Sequence, residues 1–160
     1  MSGQYRATVN RFRTRKNHAE FDRGLPVVTL AEASPDQEAI AQKLLNADTE
    51  CGFSRTKSDA LGEDERCYVI LIGEHVVGFY SYRWASNQIF YFFIAPKWRK
   101  KGIGSLALTQ LLESLRDQGV SHVYVTMEPG SEPFWHRALN GFDERREWGT
   151  RIRVDTGGKR

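Results

Sequence analysis

Hydrophobic positions along the chain change period in a regular order. The Val-Val-Thr-Leu run within Pro26 to Ala31 predicts a first strand. Ser34-Pro35-Asp36 then supplies a helix start, with Ser34 as N-cap and Pro35 at the first helical position. Ile40, Leu44, Leu45 and Ala47 recur at helical spacing and carry that helix to about Ala47. Thr49 to Glu65 holds Gly52, Gly62 and many polar residues, which predicts a loop over a substrate opening, with at most one short helix. Cys67 to Ile72 and Val76 to Trp84 are rich in β-branched and aromatic residues, and Gly73-Glu74-His75 between them makes a hairpin. A third such run, Ile89 to Ile94, follows Ala85-Ser86-Asn87. Connections this short make the three strands antiparallel neighbours. Pro96, with no N–H to give a ladder, ends the third.

The period then returns to that of a helix. Leu108, Leu111, Leu112 and Leu115 form the apolar stripe of a helix that starts near Ile103, and Gly119 caps its end. His122 to Met127 reads as a strand, Pro133 to Leu139 as a short helix stopped by Asn140-Gly141, and Glu144 to Val154 as one or two strands around Gly149. The order is βα, three antiparallel strands, then αβαβ. That is an α/β fold: a mixed, mostly antiparallel sheet with helices on both faces.

Composition narrows the class. At 160 residues and 40% hydrophobic, the chain has the length of one domain, and it can bury a core without metal or disulfide staples. Its longest apolar runs, such as Tyr68 to Ile72, are far short of the roughly 20 residues of a membrane span. Arg6, Arg11, Arg13, Arg15 and Lys16 occupy the place where a signal peptide would be apolar. Cys51 and Cys67 stand sixteen positions apart without CxxC or His spacing, which points to a reducing, cytoplasmic setting and to no metal, one disulfide remaining open. The net charge of +3 does not by itself make a nucleic-acid binder. The charge is unevenly placed, however. Residues 1–24 form a basic arm with six Lys/Arg against Glu20 and Asp22, leaving 25–160 as the folded domain. The arm reads as a solvated tail or as an RNA contact.

The chemistry concentrates in Ile94-Ala95-Pro96-Lys97-Trp98-Arg99-Lys100-Lys101-Gly102-Ile103-Gly104-Ser105. A strand leads into a basic turn with two glycines and then into the strongest helix. First-turn N–H groups have no intrahelical partner and sit at the positive end of the helix dipole. Glycine lets a diphosphate approach them closely. Lys97, Arg99, Lys100 and Lys101 add four cations within five residues. Gly102 to Ala107 also fits the dinucleotide pattern GxGxxG/A, with Glu128 as a ribose-binding acid. That fold needs its first glycine directly after a strand of a parallel βαβ unit. Here seven residues, Ala95 to Lys101, intervene after an antiparallel meander, so the dinucleotide reading loses.

Read as Arg-x-x-Gly-x-Gly at Arg99, Gly102 and Gly104, the turn resembles the acetyl-CoA pyrophosphate motif of the GNAT (GCN5-related N-acetyltransferase) superfamily. Val76-Val77-Gly78, Ile94-Ala95-Pro96 and Phe134 to Phe142 extend the resemblance over roughly Val27 to Trp148. The resemblance implies direct acetyl transfer from acetyl-CoA, a co-substrate, to a primary amine of a small molecule or protein. It further implies that the fourth and fifth strands splay to admit the pantetheine, with Ile94 and Ala95 pairing to it. Arg99, Lys100, Lys101, Gly102, Ile103, Gly104 and Ser105 would hold the diphosphate.

The chain departs from the family at both proton-transfer positions. Many members carry a glutamate base early in the fourth strand; Gln88 stands there, and an amide takes no proton at neutral pH. Glu128, at the end of the fifth strand, is the first candidate for the base, or else an exposed strand-end carboxylate. The late helix lacks the family's acid, a Tyr. Trp135 or Arg137 takes its place, so His136 and Tyr91 are the candidate proton donors, each with a packing or surface role as the alternative. Trp98 either stacks on adenine or covers the helix. Two further functions stay open: an acyl-CoA-binding protein with little catalysis, and a toxin-like enzyme acetylating aminoacyl-tRNA. The second rests on the basic arm and a basic tail with Arg151, Arg153, Lys159 and Arg160. Many such domains pair through their late strands, so monomer and homodimer are both open.

Overall fold

The computed structural model describes residues 26–57 and 64–157. The basic arm, Gly62, Lys159 and Arg160 lie outside the described residues. Strand β1 (Val28–Glu32) leads to helix α1 (Pro35–Ala47), and strands β2 (Glu65–Ile72), β3 (His75–Arg83) and β4 (Gln88–Ile94) follow. A 3-10 turn (Pro96–Trp98) then precedes helix α2 (Ile103–Asp117), β5 (His122–Thr126), helix α3 (Glu132–Ala138), β6 (Glu144–Trp148) and β7 (Arg151–Asp155). The strands form one seven-stranded sheet in the order β1-β2-β3-β4-β5-β7-β6.

Local chemistry sets the ends of these elements. Ser34 Oγ accepts the Gln37 N–H (3.2 Å) and Gln37 Oε1 accepts the Ser34 N–H (3.0 Å), a closed capping box at the start of α1. At the end of α2, Gly119 has φ +86°, and the Val120 N–H returns to the Leu115 carbonyl at 2.9 Å. This is the reversed turn that a glycine permits. The segment from Glu144 is two strands, β6 and β7, turned at Gly149 (φ +55°). The first hairpin is tighter than the sequence suggests. His75 already pairs with Ile72, so Gly73 and Glu74 alone make the turn.

The sheet separates two cores. On one face Leu106, Leu108, Leu111, Leu112 and Leu115 of α2 pack against Leu30, Ile70 and Tyr80. Each leucine is buried, and contributes about 2 kcal/mol of hydrophobic stabilisation. On the other face Ala41 and Leu45 of α1 meet Cys67, Phe79, Phe93 and Ala95. Middle strands flanked on both faces explain why β2 to β4 read as continuous apolar runs. Gly78 lets β3 and β4 lie close, because a Cβ there would stand 2.2 Å from the Phe93 carbonyl oxygen.

Candidate active site

The sheet opens at its centre. Strands β4 and β5 are parallel and pair only at Gln88 with Tyr124 and Ile89 with Val125. Opposite β3, Ile89 pairs with Tyr82 and Tyr91 with Ser81, leaving Phe90 as a bulge. A bulge bends its strand and increases the local twist, and this one sits where β4 and β5 part. Beyond it, the Ala95 N–H bonds to the Val77 carbonyl on β3 at 2.9 Å. Alternation along the strand therefore directs the backbone groups of Phe92 and Ile94 into the gap. The opening is an unpaired strand edge, the form of surface that takes up an extended amide-bearing chain.

Helix α2 points its N-terminus at the end of this gap. Its N-cap, Gly102, is left-handed (φ +79°), no side chain caps it and no acidic residue lies in its first turn. The Leu106 N–H closes the first intrahelical bond, to the Gly102 carbonyl at 3.0 Å. The N–H groups of Ile103, Gly104 and Ser105 are thus the uncapped donors of an anion site. Gly104 has no room for a side chain: a Cβ would stand 2.8 Å from Phe134 Cε2 and 3.3 Å from Ile94 Cγ1. Lys100 and Lys101 are exposed beside these donors. Lys97 and Lys101 both place their ammonium 5.4 Å from the Trp98 ring centre, so Trp98 serves as a cation–π partner as well as packing on the core. Lys100 has φ +60°, a conformation costly for a residue with a Cβ. Lys100→Gly is expected to raise stability by about 0.5 kcal/mol and to weaken CoA binding a few-fold by removing a cation. Urea unfolding and calorimetric titration with CoA check the two effects separately.

Arg99 ties this turn to the loop after α1. Its Nε donates to the Ile94 carbonyl at 2.7 Å, its Nη2 donates to the Asp48 carboxylate, and its guanidinium carbon lies 5.4 Å from the Phe93 ring centre. The side chain expected at the diphosphate thus braces the end of β4, while its backbone stays in the turn. Burial pushes the Asp48 carboxyl up; the hydrogen bond from Arg99, the one from the Glu50 N–H and the Arg99 charge outweigh it and hold it below its usual value. A carboxyl that titrates lower in the folded chain stabilises it above the unfolded value. That contribution is full above roughly pH 5 and is lost as the pH falls through and below the ordinary 3.8. Arg99 is 41% exposed, which limits the pair's worth. Asp48→Asn is expected to cost about 1 kcal/mol at pH 7 and progressively less on acidification, read from urea midpoints across that range.

Glu128 and Tyr91 meet in one open cavity of about 350 Å³, lined also by Gly52, Phe53, Ser54 and Arg55. Glu128 is half-buried, two residues beyond the end of β5. Its carbonyl accepts the Ser131 N–H (3.0 Å) and the Ser131 hydroxyl (2.6 Å), which fixes the turn that presents it. Tyr91 stacks on Phe53, with ring centres 4.5 Å apart and planes at 15°. The sequence predicts a loop over the opening, marked by Gly52, but singles out neither Phe53 nor Arg55. The one readable signal was a lone aromatic, Phe53, in a polar stretch.

The remaining candidates lie elsewhere. His136 is exposed on α3 and its Nδ1 pairs with Glu144 Oε1 at 3.2 Å; it does not line the cavity. Gln88 is buried, and its Nε2 donates to the Ile89 carbonyl (3.0 Å) and to Thr126 Oγ1 (3.4 Å), so it pins the closed end of the gap. Of the two residues that could stand where the family has its Tyr, Trp135 is buried against Phe92 and Phe134 and Arg137 is exposed. Arg151 and Arg153 belong to β7 rather than to a tail. Arg151 stacks on Tyr124 at 4.2 Å and Arg153 pairs with Asp155 at 3.5 Å. Cys51 and Cys67 are free thiols, not a disulfide. Burial pushes the Cys67 thiol up to about 12 and raises that of Cys51. Among the described residues no group of three His, Cys, Asp or Glu is arranged to hold a metal ion, and no helix is long and apolar enough to cross a membrane.

A parted β4–β5 pair leading to an uncapped, glycine-opened helix N-terminus has the chemistry to take a molecule with an extended amide arm and a diphosphate. The sequence model of the acetyltransferase (GNAT) family matches residues 28–142, well over half of the chain. The chain belongs to the GNAT family. It is, by that membership, an acyl-CoA-dependent N-acetyltransferase. Solved structures share the fold at low identity. A SpeG spermidine N-acetyltransferase from Vibrio cholerae superimposes with a TM-score of 0.59 at 14% identity, covering 81% of this chain and 94% of its own. The ribosomal-protein-S18-alanine N-acetyltransferase of Escherichia coli gives 0.58 at 15%, covering 81% and 91%. The PaiA N-acetyltransferase of Thermoplasma acidophilum, in complex with coenzyme A, gives 0.58 at 12%, covering 80% and 97%. Among curated protein sequences none matches the chain.

Proposed function

We propose that this GNAT protein transfers the acetyl group of acetyl-CoA directly to a primary amine held in the cavity of Glu128 and Tyr91. The observation that carries the reading is the continuity of the site: the uncapped donors of α2 lead along the open edge of β4 to that cavity. Acetyl-CoA fits it. Ile103, Gly104 and Ser105 offer N–H groups to the diphosphate, with Lys100 and Lys101 beside them, and the backbone of Phe92 and Ile94 offers partners to the pantetheine amides. The CoA complex of the PaiA enzyme and the amine acceptors named for the SpeG and S18-alanine enzymes support the same use of the fold.

The acceptor arrives as an ammonium ion. Glu128 takes one of its protons, directly or through water, and the neutral nitrogen attacks the thioester carbonyl carbon. The C–N bond forms, the C–S bond breaks, and sulfur leaves with the electron pair. The Tyr91 hydroxyl protonates the thiolate and is restored from solvent; the second amine proton leaves as the amide forms. Ammonium and acetyl-CoA thus become acetamide, free CoA and one proton. Gln88 cannot be the base, since its amide is committed to Ile89 and Thr126. The two free thiols suit a reducing compartment such as the cytoplasm.

Release of free CoA thiol from acetyl-CoA, with a panel of primary amines, tests the reading. Amine-dependent release with an acetamide product supports it. Tight CoA binding without release on any amine would instead make the protein an acyl-CoA binder.

A further inference from the structure

One side chain joins the two halves of the site. Arg99 lies in the turn before α2, and its guanidinium reaches both the sheet and the loop after α1. Strand β5 pairs with β4 only as far as Ile89, so it offers the Ile94 carbonyl no partner. Arg99 Nε donates to that carbonyl at 2.7 Å. The Phe93 ring packs beneath the guanidinium, 5.4 Å from its carbon. The remaining contact is the Asp48 carboxylate, 51 residues away along the chain.

Asp48 uses both of its oxygens. Oδ2 accepts Arg99 Nη2, and Oδ1 accepts the Glu50 N–H at 3.1 Å. Its own N–H closes the end of α1 on the Leu45 carbonyl at 3.1 Å. Asp48 therefore fixes the last turn of α1 and the first turn of the loop together. That turn leads directly into Cys51, Gly52 and Phe53. Gly52 lies against the proposed base, since a Cβ there would stand 3.6 Å from Glu128 Oε2. Phe53 stacks on Tyr91. Thr49, Glu50 and Gly52 are exposed, so packing alone gives this stretch little support.

We propose that Asp48 is a positioning residue: through Arg99 it ties the acceptor wall at Gly52 and Phe53 to the CoA turn, so that acetyl-CoA binding and ordering of that wall favour one another. This strut rests on the acetyl-transfer reading above and adds how the two halves of the site communicate. The physical reason is entropic. A guanidinium loses rotamer freedom when it meets a carboxylate. CoA seated at the start of α2 and along β4 already orders the turn that carries Arg99 and the carbonyl that Arg99 holds. Asp48 then meets a guanidinium with less freedom left to lose, and the wall is held more firmly. Linkage makes the effect reciprocal: an amine held by the ordered wall strengthens CoA binding by the same factor.

Cys51 reads the wall directly. It is half-buried within the loop, whereas Cys67, the other cysteine of the chain, is buried. The rate of Cys51 alkylation by iodoacetamide, followed by peptide mass spectrometry on the full chain, measures opening of the loop. Acetyl-CoA is the probe, because it brings no free thiol. At saturation it is expected to slow alkylation at least about fivefold in the unaltered protein. In Asp48→Asn, whose single acceptor oxygen cannot hold Glu50 and Arg99 as a carboxylate does, the rate should stay nearly the same. The ratio with and without acetyl-CoA cancels any change the substitution makes to the thiol itself. With the preferred amine, Asp48→Asn and Arg99→Gln should each raise the amine KM, and the double variant should be no worse than Arg99→Gln alone. Equal slowing in the unaltered and Asp48→Asn proteins, no slowing in either, or additive effects on KM overturns the strut and leaves acetyl transfer standing. Protection that depends on Asp48, without turnover of any amine, supports the strut and overturns acetyl transfer.

Discussion

Glu128→Gln is expected to lower kcat about a hundredfold while the dissociation constant of CoA stays unchanged. The substitution keeps the shape of the side chain, and the turn that carries it is held by backbone and hydroxyl contacts from Ser131 that an amide leaves intact. What is lost is the only proton-accepting carboxylate among the described residues lining the cavity. The amine would then lose its proton to bulk water alone. The Michaelis constant for the amine should rise as well, because the ammonium loses its charge partner. Steady-state kinetics with two amines, together with calorimetric titration of CoA, reads all three quantities. A kcat within a few-fold of the unaltered enzyme would leave Glu128 as a strand-end carboxylate and move the base elsewhere.

Gly104→Val should weaken CoA binding by at least about tenfold and destabilise the fold by about 2 kcal/mol. The first new atom, Cβ, would already stand 2.8 Å from Phe134 Cε2, and the two methyl groups add to that overlap. Phe134 cannot yield freely, since its ring stacks on Phe92 at 5.6 Å and meets Trp135 at 5.2 Å. The start of α2 must therefore move away from β4 and α3. That displaces the N–H groups of Ile103, Gly104 and Ser105 from the place proposed for the diphosphate. Gly104→Ala should lie between the two proteins on both measures. Urea unfolding and CoA titration check the pair; a loss of stability with unchanged CoA affinity would separate the helix N-terminus from the diphosphate site.

Most of the elements were legible in the chain because their signals are local. The N-cap at Ser34, the leucine stripe of α2 and the capping Gly119 each act within a few residues, and each is found where expected. Boundaries moved by one or two residues where pairing outweighed composition. Glu65 and His75 joined strands because Arg83 and Ile72 stand opposite them. The glycine-opened start of α2 was equally legible, since its motif is contiguous and its N–H donors belong to one helix turn. The acceptor half was not. Tyr91, Glu128, Phe53 and Arg55 come from a strand, a strand end and a distant loop, and no spacing in the sequence records that they converge. Glu128 and Tyr91 were reached from their expected strand positions, and His136 by chemistry alone; only the first two share the cavity.

The same division holds for the charges. Sequence alone established four cations crowded between Lys97 and Lys101, next to glycines that open a helix N-terminus. It therefore pointed to an anion site there, because unpaired N–H groups and local cations favour one. Tertiary structure decided what those cations touch within the protein. Arg99 is turned to Ile94 and Asp48, whereas Lys97 and Lys101 flank Trp98. It also decided that β4 parts from β5 after Ile89, at the Phe90 bulge. Strand separation depends on register against two neighbours at once, and register is a property of the assembled sheet rather than of any one strand.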